Sequence, residues 1–478
     1  MTDSKIYNVL THFDKVEQNR LRKYIRSPYF NVNETLMIFY ETLADHINAN
    51  GKTGELSKEQ IWIKLYENEA FNDVRFRKLS SDLLKLVEGF LAQQIYDKND
   101  LQQTSFLLEA IGKRKMEKLA NGSVRTARLI SDQQNEKSAD FYFYQYLIEK
   151  NYHQMSEGEL KRSDKSNVEA IINNLDKFYL SEKLRLYYDV LSRKNWISHE
   201  YQLLFIDEII NHVKNNDYTS TPSVSIYYQI LLTKTHPDDE THFYKLIELL
   251  DKYRSQFPLT EQYQLYSAAL NYCVMKMNQG KQKFVREYHE LFKFTLSHDI
   301  IFYATGSGEL APWYFKNGVL LALRLGEYDW SETFIKDYQH KLSMEYRGNV
   351  VSYSLALVYF YQKKYDKVVS LLQSVEYEDL AYNLSSKSML MAIYYETDED
   401  EALLSLMESF KTFLHRHKEI ASEKRIHYLN MMKYIKKFRK IMPGDKTEIE
   451  NTKKEIEQDR KIGIASEKWI LEKLAELE

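Results

Sequence analysis

Two glycine-containing segments hold residue types that bind phosphate in other proteins. Gly51, Lys52 and Thr53 match the end of a phosphate-binding loop, but His46 stands where that motif has its earlier glycine, and no buried strand precedes it. Residues 306–308 lack the strand and the third glycine of a dinucleotide fingerprint. We therefore interpret the first segment as a turn, and we expect no cofactor.

Residues 236–242, with the sequence HPDDETH, combine imidazole and carboxylate side chains that can bind metal cations. The same residues also suit the start of a helix, with Pro237 at the first helical position and acids in the first turn, where they face the positive end of the helix dipole. The acidic residues 398–401 have the same interpretation. The sequence predicts two helix starts and no metal site.

The nucleophiles and bases do not form a known catalytic motif. Cys273 lies among apolar residues with helical spacing, which favours inert packing. His415, His417 and His427 lie in a basic segment without nearby acids to orient them, so we expect them at the surface. The HExxH, CxxC and GxSxG patterns are absent from the sequence. We therefore expect a protein that is not an enzyme and has no catalytic residue.

The composition predicts an all-α protein. Only 14 glycines and 6 prolines occur in 478 residues, too few for the tight turns of a sheet-rich chain of this length. A net charge of −3 and a hydrophobic fraction of 44% exclude a supercharged nucleic-acid binder and a disordered chain. The length requires several domains or a stacked repeat, and the composition favours the repeat.

We expect a cytoplasmic location without a membrane partner. The first residues lack the apolar core and cleavage pattern of a secretory signal, and no apolar run approaches the roughly 20 residues of a membrane-spanning helix. A single cysteine cannot form an internal disulfide, which fits a reducing compartment.

Four regions are predicted along the chain. They are an N-terminal helical bundle at 1–100, a long-helix region at 101–220, helical repeats at 221–442 and a C-terminal capping helix at 443–478. Within the bundle, the periodicity predicts one helix over 6–26 and a turn at 51–54, and Ser57 with Gln60 forms a capping box. The terminal helix is predicted to run from about 446 to Leu477.

A repeat emerges in the C-terminal half. Tyr328, Tyr365 and Glu399 correspond to one another, and their positions differ by 37 and 34 residues. Leu355, Ala356 and Tyr359 precede Tyr365 at the positions where the tetratricopeptide repeat has a leucine, a small residue and a tyrosine. The segment resembles that repeat, whose period is 34 residues and whose unit is a pair of antiparallel helices.

The resemblance is clearest at residues 313–408 and implies an α-solenoid of helix pairs. The chain departs from the family pattern in lacking the tryptophan of the first helix and the terminal proline. An earlier step, from position 282 to 328, is 46 residues long.

The resemblance also implies a groove lined by the first helix of each pair. Such a groove would present rings as anchors and cations for acidic groups, which suits an extended or helical peptide. Packing of the protein's own helices in the groove is the alternative. The predicted lining residues are Trp313, Lys316, Arg324, Tyr353, Phe360, Tyr361, Lys387, Tyr394 and Tyr395.

Basic helices at 75–78 and 425–440 carry a second hypothesis, a regulator that contacts nucleic acid. Cations beside aromatic rings can bind phosphates, although such a face is more often solvated or offset by acidic neighbours. The candidate contacts are Arg75, Arg77, Lys78, Lys433, Lys436, Lys437, Arg439 and Lys440. The leading interpretation remains a non-enzymatic helical-repeat scaffold for a protein or peptide partner.

Overall fold

The prediction of an all-α protein is confirmed. A computed structural model describes residues 1–49, 56–67, 69–156, 166–193, 201–373 and 380–478. Within these ranges the chain forms 23 α-helices and three short 3-10 helices, and no strand. Helices account for 78% of the described residues. The turn predicted at 51–54 and the phosphate-loop residues lie outside the described residues.

The helices are numbered in chain order. The first eleven are α1 (Lys5–Thr11), α2 (Lys15–Arg26), α3 (Glu34–Asn48), α4 (Lys58–Leu65), α5 (Asp73–Asp97), α6 (Asp100–Arg114), α7 (Glu117–Gln133), α8 (Ala139–Ser156), α9 (Val168–Arg193), α10 (Ile206–Asn215) and α11 (Pro222–Thr235). The others are α12 (Thr241–Tyr253), α13 (Leu259–Asn278), α14 (Lys283–Ser297), α15 (Pro312–Arg324), α16 (Tyr328–Tyr338), α17 (Met344–Tyr361), α18 (Tyr365–Gln373), α19 (Leu380–Glu396), α20 (Asp400–Arg416), α21 (Ser422–Phe438), α22 (Lys446–Asp459) and α23 (Glu467–Glu476).

The chain divides into two compact units, Met1–Ser225 and Ile226–Glu478. The boundary falls inside α11. In the first unit, α1 to α5 enclose one apolar core around Leu21, Phe39 and Trp62. Helices α6 to α8 enclose a second, smaller core, and α9 packs along α8. The division into four predicted regions remains a prediction.

The single helix predicted over 6–26 is wrong, because Asp14 starts a new helix. Its carboxylate accepts the backbone N–H of Glu17, and the Glu17 side chain accepts the N–H of Asp14 in return. This capping box ends the periodic run at residues 12–14 and separates α1 from α2. The capping box predicted at Ser57 and Gln60 is confirmed at the start of α4.

The helix start predicted at Pro237 is wrong. Helix α12 begins four residues later, at Thr241, whose backbone N–H donates to the Asp239 carboxylate at 3.0 Å. Pro237 lies in the preceding turn, and its carbonyl accepts the Tyr272 hydroxyl. The acidic start predicted at 398–401 is confirmed, because α20 opens with Asp400 and Glu401.

Helices of the second unit pack against neighbours along the chain. Helix α15 contacts α16 and α17, helix α17 contacts α18 and α19, and helix α19 contacts α20. Helix α15 therefore lies beside α17 as well as α16, and helix α17 lies beside α19 as well as α18. This packing places the side chains of α15, α17 and α19 in adjacent rows.

The end of the chain also differs from the sequence prediction. The one helix predicted from about 446 to Leu477 is two helices, α22 and α23, separated by a connection in which Gly463 has φ +123°. The connection lets Ile449, Ile456 and Trp469 enter one core with residues of α19, α20 and α21. Of the described helices, none is both long enough and apolar enough to cross a membrane.

Gly318 of α15 provides a test of helix packing. A Cβ at this position would overlap the Phe292 ring of α14, whereas a Cβ at Gly348 of α17 would meet nothing within 4 Å. We expect Gly318→Ala to lower the free energy of unfolding by about 1–3 kcal/mol, although alanine favours helix more than glycine does.

The matched variant is Gly348→Ala, which should raise the free energy of unfolding by about 0.5–1 kcal/mol, because only the helix propensity changes. Urea denaturation of both variants measures the two effects. Equal stabilisation by both alanines would show that α14 and α15 do not pack closely at Gly318.

Candidate functional site

Three helices of the second unit carry the predicted groove residues. Helix α15 carries Trp313, Lys316 and Arg324. Helix α17 carries Tyr353, Phe360 and Tyr361, and helix α19 carries Lys387, Tyr394 and Tyr395. The starts of α15 and α17 are joined where the Leu310 N–H donates to the Lys341 carbonyl at 2.8 Å. The structure therefore brings residues from positions 313 to 395 into three neighbouring rows, but it gives them different environments.

Tyr353 is part of the core. Its side chain is 1% exposed, and its hydroxyl lies 2.5 Å from the Ser385 hydroxyl of α19. Its ring packs edge to face on Tyr382 with centroids 4.7 Å apart, and the Lys316 ammonium lies 5.3 Å and 5.2 Å from the two ring centroids. Burial raises the pKa of the Tyr353 hydroxyl. The residue therefore connects α15, α17 and α19 and is not available to a partner.

Arg324 and Tyr361 are the last residues of α15 and α17. Arg324 is exposed and Tyr361 half-buried. Burial raises the pKa of Tyr361, and the nearby positive charge of Arg324 opposes part of that increase.

The core of the C-terminal helices covers the groove residues near the ends of α17 and α19. Phe360, Tyr394 and Tyr395 pack against the core that contains α23. The Tyr395 ring meets Trp469 edge to face, with centroids 5.5 Å apart. This part of the predicted groove is filled by the protein's own chain.

An anchor of hydrogen bonds and charge holds α23 in this position. The Trp469 indole N–H donates to Glu396 at 2.9 Å, and the Lys473 ammonium lies 2.7 Å from the same carboxylate. Lys473 is 5% exposed and also pairs with Glu476 of its own helix at 2.7 Å, so it is Glu396, 14% exposed, that would lose its cation if α23 separated from α19.

Lys387 of α19 is also withdrawn from solvent. Its ammonium lies 5.6 Å from the centroid of the Phe413 ring, and burial lowers its pKa. Because its half-buried ammonium lies over a ring, Lys387 contributes to packing, and only its exposed part can contact an acidic ligand.

The starts of α15 and α17 remain open to solvent. Trp313 is 57% exposed on α15, and Met344 and Tyr346 are 88% and 49% exposed on α17. We call Trp313, Lys316 and Tyr346 the open face, because Tyr346 lies one heptad before Tyr353, on the side of α17 that faces Lys316. Met344 projects to the opposite side of α17 from Tyr346 and does not belong to it. Tyr346 is not among the residues predicted from the sequence, because it precedes the part of α17 that matches the repeat, and only its exposure distinguishes it.

The candidate nucleic-acid residues of α5 are partly engaged within the protein. Arg75 forms an ion pair with Glu69 at 2.6 Å and lies over the Tyr66 ring at 4.0 Å from its centroid. Arg77 pairs with Asp73 at 2.6 Å. Lys78 is exposed.

The basic helix α21 is offset by acidic neighbours. Lys433 lies 2.9 Å from Asp459, and Lys437 lies 2.7 Å from Glu455. Two further ion pairs join α21 and the residue after it to α20: Lys436 lies 3.4 Å from Glu408, and Arg439 lies 2.7 Å from Asp400. Lys440 is exposed. Four of the five candidate cations here face carboxylates, which weakens their attraction for phosphate.

The histidines of this region are less exposed than expected. His417 lies 2.5 Å from the Glu419 carboxylate, which is the nearby acid that the sequence analysis overlooked. His427 is half-buried, and its Nε2 lies 2.7 Å from the Ile462 carbonyl. His415 is at the surface, as predicted.

A buried histidine cluster joins α14 to the start of α16. His289 is fully buried, its Nε2 lies 3.0 Å from Glu327, and the same carboxylate receives Lys293 at 2.7 Å. The Trp330 ring packs edge to face on the imidazole. Burial lowers the pKa of His289, whereas the Lys293 hydrogen bond keeps the pKa of Glu327 low. The sequence analysis missed this cluster, because Glu327 is 38 residues from His289.

The remaining candidates have structural partners. Of residues 236–242, Asp238 pairs with Lys276, and Glu240 pairs with Lys283. No group of three or more His, Cys, Asp or Glu side chains suited to a metal ion occurs among the described residues. Burial raises the pKa of the Cys273 thiol, which disfavours the reactive thiolate.

Comparison of the chain with protein-family models, with curated proteins and with solved structures found no match in any of the three.

Titration of His289 gives a prediction about stability. Burial lowers the pKa of His289 in the folded state, so on acidification the imidazole is protonated first in the unfolded chain. The free energy of unfolding therefore decreases as the pH is lowered from about 6.5. We expect His289→Gln to lose part of the decrease in the free energy of unfolding that the wild type shows between pH 7.5 and pH 5.5. Urea denaturation at the two values measures the difference.

His415→Gln is the control, because His415 is at the surface of the same unit. It should retain the wild-type decrease. A decrease in His289→Gln as large as in the wild type would contradict this account of the buried imidazole.

Proposed function

We propose that this protein is a non-enzymatic scaffold built from tetratricopeptide-like helix pairs, and that it binds a protein or peptide partner. The binding surface is the open face, at the starts of α15 and α17. The observation that carries the proposal is the exposure of Trp313 and Tyr346 on the side of α15 and α17 that holds the cation Lys316.

The chemistry of the open face supports this proposal. Tryptophan and tyrosine are enriched where proteins bind one another, because they contribute large apolar areas. Lys316 is held over two rings, so it loses little side-chain freedom when it meets an acidic group. A partner segment with an apolar anchor and a neighbouring carboxylate fits both features.

The other part of the predicted groove does not belong to the proposed surface. Phe360, Tyr394 and Tyr395 contact the core that includes α23, and substitution of these rings would disturb that core. The proposal therefore replaces a long groove by its solvent-exposed end.

The scaffold is favoured over the regulator that contacts nucleic acid. The rings of the open face are exposed, whereas four cations near the end of the basic segment already face carboxylates. The proposal includes the cytoplasmic location expected from the single cysteine, and it requires no cofactor.

A photo-cross-linking experiment tests the open face. With benzoylphenylalanine in place of Trp313, illumination of cells that produce the protein should capture a discrete protein adduct, because the reactive ring occupies the proposed anchor position. Tyr346→Ala in the same chain should reduce the adduct at least severalfold, because it removes the second exposed ring of the open face. Denaturing gels and mass spectrometry measure and identify the product.

The control places the same photoreactive residue at Ile63, which is also exposed but lies in the first unit. The adduct should be specific to position 313. An identical set of adducts from both positions would indicate random collision and would count against the open face.

Nucleic-acid binding has its own test. We expect mobility-shift assays with single-stranded and double-stranded DNA and RNA at 50 mM and 200 mM salt to show no binding in the micromolar range, because the ion pairs of α21 compete with phosphate. Tight binding that falls by orders of magnitude between the two concentrations would instead support the regulator.

A further inference from the structure

Helix α9 exposes a stripe of apolar side chains. Val168, Ile172, Leu175, Tyr179 and Leu186 are each between 40% and 52% exposed. At about 100° per residue, all five project within about 60° of one another around the helix axis. A stripe of this kind on a 26-residue helix is a candidate interaction surface.

The stripe lies on the side of α9 that faces away from its own unit. Leu180, Ser181 and Leu184 are buried and project roughly opposite to the stripe. The Phe178 ring contacts Phe143 of α8, with centroids 5.1 Å apart. Helix α9 therefore has one face in its own core and a second apolar face toward solvent.

The spacing of the stripe specifies the shape of its partner. The steps from Val168 to Tyr179 are four, three and four residues, and Leu186 follows after one heptad. Such alternation of three and four residues is the seam of a coiled coil, in which side chains of one helix enter the gaps of another. The surface therefore fits a second helix that lies along it.

We propose that this second helix is α9 of another copy of the chain, in antiparallel orientation. A twofold axis midway between Tyr179 and Glu182 places Tyr179 opposite Glu182 of the second copy, and Leu175 opposite Leu186. Each contact then occurs twice, as twofold symmetry requires. The Tyr179 hydroxyl can donate to the Glu182 carboxylate, which its Arg185 partner at 2.6 Å already holds in place.

The flanking charges select the antiparallel orientation. In this register Asp176 and Lys183 of the second copy border the same side of the seam, about 3 Å apart along the axis, so two pairs of opposite charge flank it. A parallel pair would instead bring Glu182 against Glu182 and Asp189 against Asp189 in the seam itself. Like charges in contact oppose association, so the parallel arrangement is disfavoured.

The size of the surface indicates a weak dimer. The stripe is about 27 Å long, and at the width of one helix it covers roughly 300 Å² per copy, below the ~800 Å² of a standard interface. Leu204 enlarges it, because the Lys183 ammonium lies 3.2 Å from the Leu204 carbonyl and this exposed side chain adjoins α9. At each end of the interface, Ile172 lies opposite Asp189 of the second copy, and this polar partner limits the apolar contact.

Cysteine cross-linking tests the register in the full-length protein. The native Cys273 is fully buried and should not react. Leu175→Cys together with Leu186→Cys should give a covalent dimer with a short bismaleimide, because these positions face each other across the axis. Each single variant should remain monomeric, since its two copies would lie about 16 Å apart along the helices.

The outcomes are distinct. Cross-linking of either single variant would overturn the antiparallel arrangement, and a doubly substituted chain that gives no covalent dimer at high micromolar concentration would overturn the pairing. Adducts with other proteins in place of a dimer, when the same variant is treated in a lysate, would assign the stripe to a different partner and also overturn it.

Sedimentation velocity tests the interface without cross-linking. The wild type should show a dimer that grows with concentration, and Leu175→Lys or Leu186→Lys should weaken association about tenfold or more, because each loses a buried leucine on both copies. Leu129→Lys on α7 is the control, because Leu129 is similarly exposed outside the stripe. Circular dichroism checks that all variants keep their helix content.

Discussion

The apolar faces of these helices have to be covered by neighbouring helices, because helices of ten to twenty residues are only marginally stable alone in water. In the second unit, α17 illustrates the constraint. It lies between α15 and α19, and buried Tyr353 joins it to both through Lys316 and Ser385. The close packing of Gly318 against Phe292 meets the same requirement between α15 and α14. Much of the aromatic content of the chain is therefore needed for packing before it is available for binding.

This requirement divides the rings of the predicted groove. Tyr353 serves the core, and Tyr395 packs against Trp469 of the terminal helix, while Trp313 remains in solvent. The ion pair of buried Lys473 with Glu396 makes the cover at α19 specific, since the Glu396 carboxylate would be poorly solvated without it. What remains for the proposed partner is the open face. On α9 the same requirement is unmet, because the apolar side chains of its second face are exposed to solvent and do not pack in a core of their own unit.

Charge shows a similar difference between a sequence pattern and a surface property. Residues around α21 form a basic run along the chain, yet Lys433 and Lys437 face carboxylates of α22. The local field depends on side chains from several helices at once, so a run of cations does not by itself make a basic surface. The cluster around His289 follows the same principle in the interior, where burial and Glu327 act on one imidazole from opposite directions.

The sequence by itself determined the all-helical fold, the capping box at Ser57 and the acidic start of α20, because composition and capping act within a few residues. It did not reveal the break at Asp14 or the division of the terminal helix, where capping and a turn interrupt an apolar pattern that continues across them. The exposure of Trp313, the covering of Tyr395 and the pairing of His289 with Glu327 were decided only by the tertiary structure. These depend on contacts between residues tens of positions apart, and helical periodicity states which face is apolar without stating what covers it.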